Sequence, residues 1–224
     1  RNTAVGALAL DGNIDTNNNT AVGYAALSGA ITGGQNAALG ANALLSNTSG
    51  SSNTAIGQAA MSQNTTGQNN TAVGHSALVS SSGGGSANVA VGKDALRNNS
   101  AGSNIAVGLS TLYTNTSGEK NIAIGREALR SNTTASHNIG IGYHALYNNT
   151  EGDSNTAVGA EALLTNQDGE DNTAVGRKAL RLSTASDNTA VGSSALLSNT
   201  SGTQNVAVGS LALDANTTGS ANTA

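Results

Sequence analysis

A nine-residue phrase returns along the chain every seventeen residues, and occasionally after sixteen or eighteen. It reads N-[TVI]-A-[VIL]-G-x-x-A-L with few exceptions, and each copy opens on an asparagine. A period this short is too short for helix-pair repeats, and the β-branched residues inside the phrase favour a strand. The sequence therefore predicts an all-β solenoid of about thirteen 17-residue coils, forming a single repeat domain over residues 1–224 with no internal boundary.

The composition limits how such a coil can be stabilised and what it can bind. There is no Trp, Phe or Cys, so we expect a thin interior of small aliphatic residues in which each coil covers its neighbour. The formal net charge is −4, and the Lys and Arg residues are expected to be scattered over different coils, which argues against a nucleic-acid partner. The chain has no apolar run long enough to cross a bilayer, so no membrane contact is expected of this segment.

The phrase also predicts which side chains point inward. With the opening asparagine as position 1, positions 2 and 4 share one face of the strand and positions 1, 3 and 5 share the other. The Val and Ile residues at positions 2 and 4 predict that their face is the interior, and the small residues opposite predict a face for contact between subunits. The asparagines predict a hydrogen-bonded ladder, and the glycine at position 5 predicts a backbone bend. Representative residues are Asn53, Asn70, Asn88, Asn104 and Asn121 for the ladder; Val91, Leu96, Ile124, Leu129, Ile141 and Leu146 for the core; and Gly57, Gly74, Gly92, Gly108 and Gly125 for the bend.

All variation in coil length falls after position 9, often in the wording N-T-[ST]-G. Loops tolerate insertions that a packed strand does not, so this segment is predicted to be an exposed turn. Eight of the ten N-x-[ST] sequons fall in it. Glycosylation of this edge and simple turn chemistry are both open explanations of these residues.

Three phrases carry a family resemblance: N-V-A-V-G at 88–92, N-I-A-I-G at 121–125 and N-V-A-V-G at 205–209. They resemble the N-S-V-A-I-G head motif of YadA-like trimeric autotransporter adhesins, and the longer phrase is similar to repeats in phage tail fibres and bacterial surface proteins. The resemblance covers essentially the whole chain. It implies a left-handed parallel β-roll, a homotrimer wound about one axis, and adhesion. The period here is longer than in the adhesin heads, and Thr often stands at position 2.

No catalytic, cofactor-binding or metal site is predicted. The motif G-x-G-x-x-A at 140–145 matches a dinucleotide fingerprint, but the repeat itself accounts for its glycine and alanine. His75, His137 and His144 share no column of the repeat. A group of carboxylates in the later coils indicates a solvated acidic edge rather than a Ca²⁺ site, and Glu161 is expected to lie beside Lys178.

These observations favour a non-enzymatic segment of an extracellular fibre, on a cell surface or a virion, which binds surfaces multivalently. The chain starts and stops inside the repeat, so it is expected to be a window of a longer fibrous protein. The expected partners are further copies of the chain and a glycan or host-surface receptor, contacted by variable residues such as Tyr24, Lys93, Arg126, Tyr143 and Arg177. Two alternatives stay open: an ice-binding solenoid that uses the position-2 threonines, and the non-catalytic part of a polysaccharide-degrading tailspike.

Overall fold

The computed structural model describes residues 1–13, 15–29, 31–80 and 85–224. Within them the chain is an all-β parallel β-solenoid of about twelve turns without a helix, which confirms the predicted all-β solenoid. Thirteen three-residue strands follow one another about 17 residues apart. Their bounds are Thr3–Val5 (β1), Thr20–Val22 (β2), Ala37–Leu39 (β3), Thr54–Ile56 (β4), Thr71–Val73 (β5), Val89–Val91 (β6), Ile105–Val107 (β7), Ile122–Ile124 (β8), Ile139–Ile141 (β9), Thr156–Val158 (β10), Thr173–Val175 (β11), Thr189–Val191 (β12) and Val206–Val208 (β13).

The chain forms two compact units, Arg1–Ser117 with strands β1–β7 and Gly118–Ala224 with strands β8–β13. Inside each unit successive strands pair in parallel, and each repeat position pairs with itself. Ala55 pairs with Ala72 in the first unit, and Ala157 pairs with Ala174 in the second. The register is the same after a coil of unusual length, so the extra or missing residues are absorbed outside the strands.

The glycine at position 5 ends every strand with a backbone conformation that other residues rarely adopt. Its φ lies between 123° and 138° in all thirteen units, including Gly57, Gly74, Gly92, Gly108 and Gly125. Close stacking gives a second reason for glycine. A Cβ on Gly57 would lie 2.5 Å from the carbonyl oxygen of Gly74 in the next coil. Any side chain at this position would therefore push two coils apart.

Positions 7 and 9 also have positive φ, although they are not glycines. Leu129 and Leu146, both at position 9, have φ values of 52° and 53°. This conformation costs an L-residue roughly 1–2 kcal/mol. The same two side chains are fully buried, which stabilises the fold by about 1.5–3 kcal/mol each. Burial of the leucine therefore offsets the strain of the turn that carries it.

The core consists of alanine and leucine, and three of the six predicted core residues lie elsewhere. Leu96, Leu129 and Leu146 are fully buried together with the alanines at positions 3 and 8. Val91 and Ile141, in contrast, are half-buried, and Ile124 is 39% exposed, all on the outer face of their strands. The face of positions 1, 3 and 5, which was predicted to contact other subunits, is the interior.

The coil is too narrow for the predicted arrangement. A Cβ built on Gly140, at position 3, would already lie 3.3 Å from the side chain of Leu129 in the preceding coil. Only alanine or glycine fits between the strand and the leucine that packs against it. Branched side chains at positions 2 and 4 must therefore point outward.

Candidate functional site

Each strand presents an outward surface made of the side chains at positions 2 and 4, which we call the outer strand face. Away from the chain ends, its exposed members include Leu39, Ile56 and Ile105 in the first unit and Ile124 and Val191 in the second, each 37–48% exposed. Because the strands pair in register, these side chains form straight columns within each unit. Successive side chains of one column are about 4.8 Å apart. A periodic apolar surface of this kind is typical of an interaction site.

Behind this face, the opening asparagines form a buried row. The Oδ1 atom of Asn53 accepts a hydrogen bond of 3.0 Å from the backbone N–H of Asn70, and Asn70 accepts one of 2.9 Å from Asn88. Asn104 donates its N–H to Asn88 in the same way, and Asn138 donates to Asn121. The side-chain oxygen thus bonds the next coil's backbone, and in several pairs it also accepts a hydrogen bond from the next asparagine's Nδ2, as Asn70 does from Asn88 at 3.2 Å. Most Nδ2 groups also donate to a carbonyl that lies thirteen to fifteen residues later, as Asn53 donates to Gly67 at 2.8 Å.

A second asparagine row runs through the segment that was predicted to be an exposed turn. Its members at position 12 are fully buried: Asn47, Asn64, Asn99, Asn115, Asn132, Asn149, Asn166 and Asn199. Their side-chain amides bond from coil to coil, as Asn166 Nδ2 donates to Asn149 Oδ1 at 2.8 Å. The prediction of an exposed turn is wrong at this position, because the asparagine is needed to bridge neighbouring coils. Five of the sequons begin at these buried residues, so their amides do not reach the folded surface.

The second asparagine row has a defect in the second unit. Ser183 stands where the next asparagine would be, and it is fully buried. Asn166 Oδ1 is consequently a buried oxygen without a hydrogen-bond partner among the described residues. Leaving such a group unpaired costs about 1–3 kcal/mol.

Charged and aromatic side chains are concentrated on the flank of the second unit that follows the strands. They occupy positions 6, 7 and 10 of four consecutive coils, and we call them the cationic strip: Arg126, Glu127, Arg130, Tyr143, His144, Tyr147, Glu161, Arg177, Lys178 and Arg181. Five of the nine Lys and Arg residues lie in it against two carboxylates, a net of +3. The expectation that basic residues are scattered is therefore wrong for this unit. Stacking brings together residues that are far apart in the sequence.

The strip is organised by contacts between adjacent coils. His144 Nε2 lies 2.6 Å from a carboxylate oxygen of Glu127, and its ring stacks on Tyr143 with a centroid distance of 3.8 Å. The guanidinium of Arg130 lies 5.9 Å from the ring centre of Tyr147. Tyr143 remains 45% exposed. These contacts hold the rings of Tyr143, His144 and Tyr147 in place, and we call these rings the aromatic platform. Cationic side chains lie on both sides of the platform along the strip.

The other carboxylate of the strip pairs with a different residue from the one predicted. Glu161 accepts a 2.8 Å hydrogen bond from Arg181 Nε, whereas Lys178 was expected as its partner. That hydrogen bond holds the pKa of Glu161 below its ordinary value of 4.5, and the charges of Arg181 and Lys178 act in the same direction against the effect of burial. Arg181 lies at position 10 of the coil after Glu161, and stacking of the two coils brings the two side chains together.

The acidic edge lies in the segment before the next strand, and its members are Glu151, Asp153, Asp168, Glu170, Asp171 and Asp187. Backbone hydrogen bonds place Asp171 on Asp153 and Asp187 on Glu170 in adjacent coils. The carboxylate of Asp153 accepts a 2.7 Å hydrogen bond from the backbone N–H of Ser136. Among the described residues, no group of three or more His, Cys, Asp or Glu is arranged to hold a metal ion.

The remaining motif residues belong to the repeat. Gly142 of the G-x-G-x-x-A motif is an ordinary bend glycine with φ 135°, and Ala145 is a buried core alanine. His75 and His137 are exposed. The described part of the chain has no concave pocket.

No helix in the described ranges has the length and hydropathy of a membrane span. Comparisons with protein-family models, with curated proteins and with solved structures give no match.

Proposed function

We propose that this chain is a structural and adhesive segment of an extracellular fibre, exposed on a cell surface or a virion, in which three copies pack along their outer strand faces. The observation that supports this most directly is the outer strand face itself. It repeats in every coil, it is rich in Val, Ile and Leu, and no described part of the single chain covers its exposed members.

The pattern of side chains favours self-association over a role in folding. The chain buries its alanine and leucine core without using positions 2 and 4, so these residues are not needed to form a coil. A second copy with the same rise per coil matches the columns within each unit, since every position pairs with itself. The three-fold number and the left-handed winding come from the resemblance to YadA-like heads.

In this arrangement the outer flanks of the coils remain available to bind a host or environmental surface. Each contact is weak, and several copies of the chain add their contacts through a high effective concentration. The partner is a glycan or a surface receptor, bound without a catalytic step.

The fibre proposal is tested by the mass of the purified chain in solution. We expect three times the chain mass of 21.8 kDa by sedimentation equilibrium. The double substitution Ile124→Lys and Val175→Lys should give a folded monomer, because both side chains point away from the core. Lysines placed instead at Ser193 and Ser210, at position 6, are the matched control and should leave the mass unchanged. A wild-type chain that is monomeric at high concentration contradicts the proposal.

Ice binding is a second candidate, and one observation favours it. Several position-2 threonines point outward in register, as Thr156 pairs with Thr173 and Thr173 with Thr189. Such a column places hydroxyl groups about 4.8 Å apart on a regular surface. Thermal hysteresis in the purified protein would support this candidate, and its absence would remove it.

A further inference from the structure

We propose that the cationic strip of the second unit is a binding site for an acidic polysaccharide, which lies along the stacking direction of the coils with sugar rings on Tyr143 and Tyr147. This inference rests on the proposed adhesive function and assigns it a ligand class and a location.

The residue types of the strip are unusual in this chain. Aromatic residues make up 2% of the sequence and charged residues 10%, yet two of the four tyrosines and five of the nine cations lie in these four coils. Neither the core nor the outer strand face uses them. Coils with small or uncharged residues at the same positions, such as Ser193, Ser194 and Leu197, keep the same fold, so the solenoid does not require the strip.

The cationic groups lie at the two ends of the strip. Arg126 and Arg130 lie in one coil, and Arg177, Lys178 and Arg181 lie three coils further on, about 14 Å away at the usual strand spacing. The coil after Arg126 carries the tyrosines, and the next carries Ala160, Leu164 and Glu161, whose carboxylate is paired with Arg181. A ligand that spans the strip thus meets cations at both ends and ring or aliphatic surfaces in the middle.

An acidic polysaccharide has this combination of groups. Its carboxylates or sulfates pair with guanidinium groups, which bind such anions with two parallel hydrogen bonds. Its sugar rings present C–H surfaces that pack on exposed aromatic faces. Duplex DNA carries about one charge per 1.7 Å and favours a dense basic surface, and the acidic edge of the same unit repels it.

The aromatic platform is held in place before any ligand binds. Tyr143 stacks on His144, which in turn contacts Glu127, and Glu161 fixes Arg181. Side chains that are ordered in advance lose less entropy on binding. Arg126 and Tyr143 nevertheless stay open to solvent, with 59% of the Arg126 side chain exposed.

The test uses the full chain and a fluorescently labelled oligogalacturonate, with fluorescence anisotropy as the readout. We expect binding that weakens steadily between about 50 and 200 mM salt, because charge pairs are screened. The methyl ester of the same oligosaccharide keeps the rings but loses the charges, and it should bind at least about tenfold more weakly.

Two variants locate the site. Arg177→Gln with Lys178→Gln should weaken binding about tenfold, and Tyr143→Ala should weaken it about fivefold. The matched control is Arg1→Gln with Lys120→Gln, which removes the same two charges outside the strip and should change binding less than about twofold. Thermal unfolding of each variant verifies that the coil is intact.

Each contrary result has a definite meaning. No binding of the oligogalacturonate, equal binding of its methyl ester, or an equal loss in the control variant overturns the proposal. Tighter binding of a single-stranded oligonucleotide would replace the polysaccharide with a nucleic acid. Loss of self-association in Arg177→Gln with Lys178→Gln would instead assign the strip to a second copy's acidic edge.

The proposed function can fail separately. Ile124→Lys with Val175→Lys alters the outer strand face and leaves the strip unchanged, so this chain should keep its affinity per site even as a monomer. If wild type is a monomer that still binds the oligogalacturonate through the strip, the trimeric fibre is wrong and the polysaccharide site stands.

Discussion

Among individual residues, Ser183 marks the place where the hydrogen bonding of the solenoid is incomplete. In the second row, the Oδ1 atom of an asparagine accepts a hydrogen bond from the side-chain amide of the next coil's asparagine. Ser183 has no side-chain amide and cannot donate this bond. The coil of Asn99 shows that sixteen residues suffice for an asparagine here, since Asn115 Nδ2 donates to Asn99 Oδ1.

We expect Ser183→Asn to stabilise the protein by about 1 kcal/mol, because it gives the buried Asn166 oxygen a donor. Chemical denaturation monitored by circular dichroism measures the change in the free energy of unfolding. Ser183→Ala is the control, since it alters the same site without adding an amide, and it should not stabilise. A loss of stability in Ser183→Asn would mean that the short coil has no room for the larger side chain.

The pair of Glu161 and Arg181 gives a stability term that depends on pH. The pKa of Glu161 is lower in the folded chain than its ordinary value of 4.5, so the pair stabilises the fold above that pH. The contribution is lost as the pH falls through the folded value. Both side chains are about a third exposed, so its size is roughly 0–1 kcal/mol.

Glu161→Gln should therefore lower the unfolding free energy slightly at pH 7, and the difference from wild type should vanish in strong acid. Denaturation curves of both proteins across pH 2–7 measure this. The matched control is Glu170→Gln on the acidic edge, which removes a carboxylate that has no ion pair among the described residues. A difference for Glu161→Gln that persists unchanged in acid would contradict the assignment.

At the level of the strand and its bend, the two faces have opposite roles from those predicted. Period, strand position and bend glycine could all be predicted, because the repeat holds each in a fixed environment. The direction of the faces could not, since branched residues usually point inward and nothing in the sequence reports the width of the coil. Alanine at position 3 was the available signal, because a uniform small residue indicates close packing.

This reversal predicts unequal costs for two neighbouring residues of one coil. Leu129→Ala should destabilise the protein by about 2–5 kcal/mol, because it opens a cavity next to Gly140. Ile124→Ala should cost well under half as much in a monomeric sample, since that side chain is 39% exposed. Denaturation of both variants under conditions where the chain is monomeric compares them. Equal losses of unfolding free energy in the two variants would mean that Ile124 is a core residue.

Over the whole chain, the proposed functions depend on columns of stacked side chains rather than on single residues. The cationic strip could not be found by reading along the sequence, where its members are spread over more than fifty residues. It appears when positions 6, 7 and 10 of successive coils are placed beside one another, and the repeat alone contained that information. The second asparagine row was missed for a different reason, because N-T-[ST]-G is also the composition of a surface turn.

The tolerance of the strand register has a consequence for how such a gene can change. Thr71 pairs with Val89 across an eighteen-residue coil and Thr173 with Thr189 across a sixteen-residue one, without displacement of either partner. Unequal crossing-over that duplicates or removes one complete phrase therefore leaves every remaining strand paired in the same register with the strand that is now next to it. Selection can then lengthen or shorten the proposed binding columns by one coil at a time. The side chains of each coil can meanwhile diverge independently.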